Sequence, residues 1–168
     1  MRWPTKRTIY RSTGEKYLTR YKLLYIPILG WKVWLHHIHI ADESPDLHDH
    51  PWWFWSMPLT GGYFEFYGDP YKKQWRECRP WRLYWHDRFY RHTIFSLVGR
   101  SAWTLVLRGP VVRRWGFWPC CDDDYEFMPW ETYCERYHQG APICEEEYNE
   151  WTRRNAGGQA ARDQRNDA

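Results

Sequence analysis

Long apolar runs are missing from this 168-residue chain. The nearest to one, YKLLYIPILGWKVWL, is interrupted by Lys22, Pro27 and Lys32. It cannot supply the roughly 20 apolar residues a membrane-spanning helix requires. A secretory signal is missing too, because Arg11, Lys16, Arg20 and Lys22 break up any early apolar region. The five cysteines, Cys78, Cys120, Cys121, Cys134 and Cys144, form an odd set with no recognisable disulfide framework. A reducing cytoplasm is therefore the expected setting, with no membrane partner. Neither a P-loop nor a dinucleotide-type glycine motif occurs, and no internal repeat is visible. Charge of one sign is scarce as well: a net +3 does not by itself imply nucleic acid. Interleaved Arg and Trp around residues 108–118 could stack bases. An acidic C-terminal half argues against an extended nucleic-acid footprint, so that partner is not expected.

Charge is unevenly placed. Residues 1–35 carry eight Lys/Arg against the single acid Glu15, while residues 121–168 carry twelve Asp/Glu against five Arg. A basic head and an acidic tail attract each other within a molecule or between subunits, or they are simply two solvated surfaces. Aromatic residues are abundant, at 20% of the chain with Trp 14 and Tyr 13. That exceeds what a core needs, and such rings favour strands, pocket walls and interfaces.

The length predicts one domain with a real core. Residues 1–29 read as a basic N-terminal leader or edge segment, 30–120 as a β core, 121–152 as an acidic extension and 153–168 as a disordered tail. A short helix is expected in WETYCERYH, with Pro129 near its start. Elsewhere, short strands separated by Gly, Pro or charged residues argue for an all-β sandwich or barrel.

Alternation within those strands selects candidate residues. In VWLHHIHI, His36 shares a face with Trp34, Ile38 and Ile40, while His37 and His39 take the polar face. LHDHPWWFWSMPLTGG, residues 47–62, puts His48, His50, Trp52, Phe54 and Ser56 on one side, although Pro51 blurs the pattern. Gly61-Gly62 marks a turn into YFEFY, where Glu65 shares a face with Tyr63 and Tyr67. Two imidazoles one residue apart are half of a metal site. His92, which opens the apolar strand HTIFSLV, is the favoured third member over His86 in the more polar WHDRF. The alternative is a pair of pocket-lining histidines plus a third bonded to backbone. Trp52, Phe54, His36 and Tyr90 are the candidate substrate-pocket residues. One of Arg82, Arg108, Arg113 and Arg114 is a candidate to bind an anionic group. Cys120, Cys121, Cys134, His138 and Cys144 gather zinc-ligand types, yet adjacent cysteines before a long gap do not reproduce C-x-x-C pairing.

LHDHPWWFWSMPLTGG, the lone His92 of YRHTIFSL and the segment SAWTLVLRGPVVRRWGF together resemble the cupin superfamily. The likeness covers roughly residues 30–120 and is strongest to small cupin-like proteins of bacteria and their phages. The first cupin motif pairs two histidines one residue apart with a later glycine, matching His48, His50 and Gly61 or Gly62. The second supplies a histidine from a later strand, matched by His92. The resemblance implies a double-stranded β-helix, or jelly roll, with a metal in the barrel mouth. It also departs from the pattern. The common first motif has a glutamate ligand four or five residues after its second histidine, where this chain has Phe54 and Trp55. Thiol dioxygenases are similar in lacking that carboxylate and using three histidines.

The resulting expectation is a metal-dependent cupin-like protein in which His48, His50 and His92 hold one divalent transition metal. Fe(II) or Zn suits three imidazoles best, with Mn or Ni also suited. An oxygenase acting on a small polar substrate is the first reading. A metal-dependent isomerase, or a non-catalytic ligand-binding or structural jelly roll, is the alternative. Glu65 is the catalytic candidate, as a ligand, as a hydrogen-bond acceptor from an imidazole or as a general base. Homodimers are expected from the aromatic excess and from the cupin analogy.

Overall fold

The alternating segments form strands wherever one side of the chain can be buried. The computed structural model describes residues 5–119 and 127–137, with the backbone of 143–144. In chain order the first strands are β1 (Thr5–Tyr10), β2 (Lys16–Ile26), β3 (Trp31–Ile38), β4 (Leu47–His48) and β5 (Phe54–Thr60). Next come β6 (Tyr63–Asp69), β7 (Lys72–Cys78), β8 (Tyr84–His86), β9 (His92–Leu97) and β10 (Ala102–Arg108). The last are β11 (Gly116–Trp118), β12 (Met128–Pro129), the helix α1 (Trp130–Tyr137) and β13 (Ile143–Cys144).

Two antiparallel sheets result. One runs β13-β1-β2-β3-β10-β5-β8 and the other β12-β11-β4-β9-β6-β7. From β3 to β11 the chain keeps crossing between them, entering the second sheet at β4, β6, β9 and β11 and the first at β5, β8 and β10. That alternation makes a double-stranded β-helix, a jelly roll with one short C-terminal helix. Both sheets turn apolar residues inward. Ile9, Leu18, Ile38, Tyr63 and Ile94 form one buried cluster, and Trp34, Phe54 and Val106 a second. The helix docks through Tyr133, whose ring stacks on Phe117 at 4.0 Å.

Two segments bear on the sequence reading. Residues 5–26, expected as a leader or edge segment, are the paired strands β1 and β2, which extend the larger sheet beside β3. Charge hid this. Ile9 and Leu18 pair directly across the hairpin and are buried, while Lys6, Arg7, Lys16 and Lys22 are exposed. The strand expected from Leu47 through Ser56 is broken in two around Pro51, leaving β4 in one sheet and β5 in the other. Gly61 (φ 75°) and Gly62 (φ 131°) turn β5 into β6 as expected, with backbone angles that L side chains rarely adopt. The helix expected in WETYCERYH is α1. The proposed tail, Cys120, Cys121 and His138 lie outside the described residues, as does the side chain of Cys144, while Cys78 is a buried thiol. Among the described residues, no helix is long and apolar enough to cross a membrane.

Because Leu18 is 6% exposed in the principal core, Leu18→Ala should lower the unfolding free energy by about 2–5 kcal/mol. Urea titration followed by tryptophan fluorescence reads this. A loss below about 0.5 kcal/mol, the surface-substitution range, would show that Leu18 does not belong to the core.

Candidate metal centre

Strand pairing brings the histidines together. β4 is only two residues long, and its His48 sits directly opposite His92 of β9 on one side and Phe117 of β11 on the other. His50 follows beyond the strand end. Between them Asp49 points away and is itself anchored. It accepts hydrogen bonds from Gly116 N (3.2 Å) and Trp118 Nε1 (3.1 Å) and pairs with Arg113 at 2.8 Å. This anchoring fixes the backbone between the two histidines, so both imidazoles turn to the interior. The candidate ligand atoms of His48, His50 and His92 all lie within 4.8 Å of one another. His50 Nε2 and His92 Nε2 are 2.9 Å apart.

These imidazoles border a cavity of about 360 Å³, within the range of small-molecule sites. Trp52, Phe54 and His36 also line it. Tyr90 is not among the lining residues; its hydroxyl instead donates to Glu65 Oε1 at 2.8 Å. Glu65 likewise does not line the cavity, and it is 0% exposed. Its Oε2 lies 2.7 Å from His92 Nδ1, and its Oε1 also accepts from Arg76 Nε at 2.6 Å. Phe54, at the place where the cupin motif has a carboxylate, packs edge-on to His50 at 4.9 Å and stacks on His86 at 4.2 Å. His86, the rejected third candidate, is buried and bonded to Arg76 Nη2 at 2.9 Å, outside the three-histidine cluster. His37 stacks on Trp103 at 4.1 Å, and His39 bonds Thr19 Oγ1 at 2.9 Å; neither lines the cavity.

Burial sets the protonation of His48 and His50. It lowers His48 to about 4, only partly opposed by the nearby Asp42 carboxylate. Burial also holds His50 well below the usual imidazole value, with the neighbouring histidines adding to the shift. Burial alone would raise the Glu65 carboxyl. The hydrogen bond and charge of His92, together with Arg76, outweigh that and hold it well below the usual carboxylate range. Neutral imidazoles at His48 and His50 leave nitrogen lone pairs available to a cation.

Several contributors were not foreseen. Arg76 sits directly across the β6–β7 hairpin from Glu65. Counting outward from the Asp69-Pro70 turn would have paired them. Asp42 accepts from Ile94 N at 2.7 Å and from the Tyr17 hydroxyl, and its Oδ2 lies 3.9 Å from His48 Nδ1. It comes from the irregular loop ADESPD, where no periodicity marks it. The four arginines considered for an anion also lie elsewhere. Arg82 and Arg114 are exposed, Arg113 is paired with Asp49, and Arg108 packs over the Trp34 and Trp52 rings. Arg7, Arg11 and Arg20 line the cavity instead.

Solved structures show the same architecture. Hydroxypropylphosphonic acid epoxidase from S. wedmorenis is similar at 12% identity over 65% of this chain and 58% of that one, with a TM-score of 0.50. The iron(II) form of HppE gives 11% identity over 65% and 59%, with a TM-score of 0.51. The chain has the cupin fold. It spans less than two-thirds of the length of those structures, and identities this low establish the fold alone. No protein-family model matches the sequence, and no curated protein matches it. Within the cupin fold, this chain presents a three-histidine cluster capable of coordinating a divalent metal ion.

An unfolded histidine titrates near 6.5, whereas His48 in the fold titrates near 4. Between those values the unfolded chain binds more protons, so stability is full above pH 6.5 and falls as the pH drops toward 4. Each such histidine contributes a slope of up to about 1.4 kcal/mol per pH unit. Denaturant titrations of metal-free protein at a series of pH values should show the decline, and His48→Gln should flatten it. A stability unchanged from pH 7 to pH 5 would show that the imidazoles are not held neutral.

Proposed function

We propose that the protein is a metal-dependent enzyme of the cupin fold. His48, His50 and His92 would hold one divalent transition metal, with Fe(II) or Zn preferred, and the cavity beside them would take a small polar substrate. The observation that carries this reading is the 2.9 Å separation of His50 Nε2 and His92 Nε2 at the cavity wall. Two nitrogens each about 2.1 Å from one ion stand about 3.0 Å apart at right angles and about 3.4 Å apart at the tetrahedral angle, so this pair can share an ion after a small adjustment, with His48 within 4.8 Å to close on it. When bound, the ion supplies Lewis acidity and, as iron(II), the capacity for oxygen chemistry.

The remaining roles belong to the chain. Glu65 acts through His92: by accepting the Nδ1 proton it fixes the tautomer that leaves Nε2 as the donor facing His50. Arg76 and Tyr90 keep that carboxylate ionised and aimed. Glu65 is thus a positioning residue, with both oxygens occupied and no exposure through which to reach a substrate proton. Trp52, Phe54 and His36 wall the cavity and exclude water. An oxygenase is the preferred chemistry because three neutral ligands leave positions for both substrate and dioxygen. A metal-dependent isomerase is the second reading, with the same histidines and no oxygen consumed.

Metal analysis of protein purified without added metal tests the centre. We expect near one transition-metal ion per chain, lost in a His48→Ala/His50→Ala double variant that still folds. Glu65→Gln should weaken metal affinity by about 10–100-fold. A wild type that stays metal-free after reconstitution would overturn the reading, and a loaded protein that consumes no oxygen with any substrate would move it to the isomerase. Pairing into homodimers belongs to the same reading, supported by the exposed rings of Trp75, Trp81 and Phe95. Sedimentation at the mass of a single chain would overturn that part.

A further inference from the structure

Residues 16–40 contain no acidic side chain, and neither do residues 101–121. The first stretch includes the β2–β3 hairpin, whose tip is the apolar run LLYIPIL between Lys22 and Lys32. Such a run should fold inward, yet most of it faces water. Leu23, Leu24, Tyr25 and Leu29 are about half exposed, and Ile28 at the apex is 96% exposed. A bulge accounts for the two leucines: the register slips between Lys22 and Leu24, leaving Leu23 without a partner across the hairpin. The tip is nonetheless ordered. Leu29 N and Gly30 N donate to Ile26 O and Pro27 O, both at 3.2 Å. Gly30 turns at φ 65° against the next loop, where a Cβ on it would stand 3.1 Å from Pro110 Cβ.

That contact sets a second apolar loop beside the first. Pro110, Val111 and Val112 are exposed, as is Arg114 after them. The loop is pinned by Gly109 N donating to Trp53 O at 2.9 Å and Val112 N to Pro51 O at 2.8 Å. Cations stand behind the hairpin tip. Tyr25 and Lys32 are directly opposite each other, and Lys22 Nζ and Lys32 Nζ each lie 5.3 Å from the Tyr25 ring. Neither lysine makes an ion pair among the described residues. Lys32 is also directly opposite Arg108 of β10. Burial, then the charges of Arg108, Lys22 and Arg20, push its ammonium below the usual value. Negative charge brought to this place would relieve the repulsion.

An aliphatic apex offers no flat face for stacking a base, and a convex one offers no pocket for a small ligand. The layering matches a lipid surface instead, with apolar side chains outermost and a tyrosine ring and two ammonium groups behind them. Lys32 follows Ile28 by four residues, at most about 13 Å along a strand. A tip sunk about 5–10 Å past the headgroups would leave the lysines among them, where tyrosine also prefers to sit. We propose that the β2–β3 tip, with residues 110–112 beside it, docks the protein peripherally on a bilayer carrying anionic phospholipid. Leu23, Leu24, Ile28 and Leu29 enter the bilayer, and Lys22 and Lys32 meet the headgroup phosphates. This departs from the expectation of no membrane partner, which weighed spanning and secretory segments alone. It is independent of the metal reading.

Sedimentation of the full chain with lipid vesicles tests it. Vesicles of phosphatidylcholine alone are compared with vesicles in which about a third of the lipid is phosphatidylserine. The protein should partition at least about tenfold more strongly onto the anionic vesicles, and about 1 M salt should erase the difference. Ile28→Asp, at an apex the fold leaves in water, should weaken binding by about tenfold or more and leave urea stability unchanged. Lys22→Gln should lower only the preference for anionic vesicles, by about fivefold. No partitioning onto either vesicle, equal partitioning onto both, or binding that survives Ile28→Asp would overturn the proposal. So would a fall in the sedimented mass of Ile28→Asp without lipid, because the tip would then be seated on a second copy of the chain.

Discussion

A carboxylate sealed from water, that of Glu65, is the interaction on which the centre depends. Burying an ionised group is expensive unless it is paired and hydrogen-bonded. Glu65 meets that condition through three donors from separate places in the chain: Arg76 on β7, His92 on β9 and Tyr90 in the loop before β9. The register of the β6–β7 hairpin, the orientation of one histidine and the path of a loop are thereby fixed by a single side chain. Arg76 in turn bonds His86, which stacks on Phe54, so the constraint reaches the larger sheet.

That network explains how this fold tolerates a ring where the cupin motif has a carboxylate. Phe54 packs against His50 and His86. The negative charge has moved to the next strand and acts behind an imidazole. A cation held by three neutral nitrogens would feel that charge only at a distance, and its net charge would be left for a ligand to neutralise.

Much of this was legible in the sequence because side-chain alternation survives local irregularity. His48, His50, Trp52, Phe54 and Ser56 all line the cavity although Pro51 splits their strand and sends its halves to different sheets. His92 stood out from His86 because it opened an apolar strand, and register then set it across from His48. The N-terminal hairpin was legible only as either a leader or an edge segment. Its lysines and arginines dominate its composition, and only Ile9 and Leu18 betray an inward face. Long-range pairings such as Asp42 with His48, or Arg20 with His36, depend on which strands become neighbours, and composition and local periodicity carry no such information.

The histidines lie on the smaller sheet and the loop leaving it, while Trp34 and His36, which also line the cavity, lie on the larger one. Facing sheets in such folds stand about 10 Å apart, and that gap is held by Ile9, Leu18 and Ile38 packing against Tyr63 and Ile94. The two sheets thus behave as the jaws of a calliper. The length of molecule that can touch both ends at once is set by core side chains that never meet it, and a single added or removed methylene in that core would retune it.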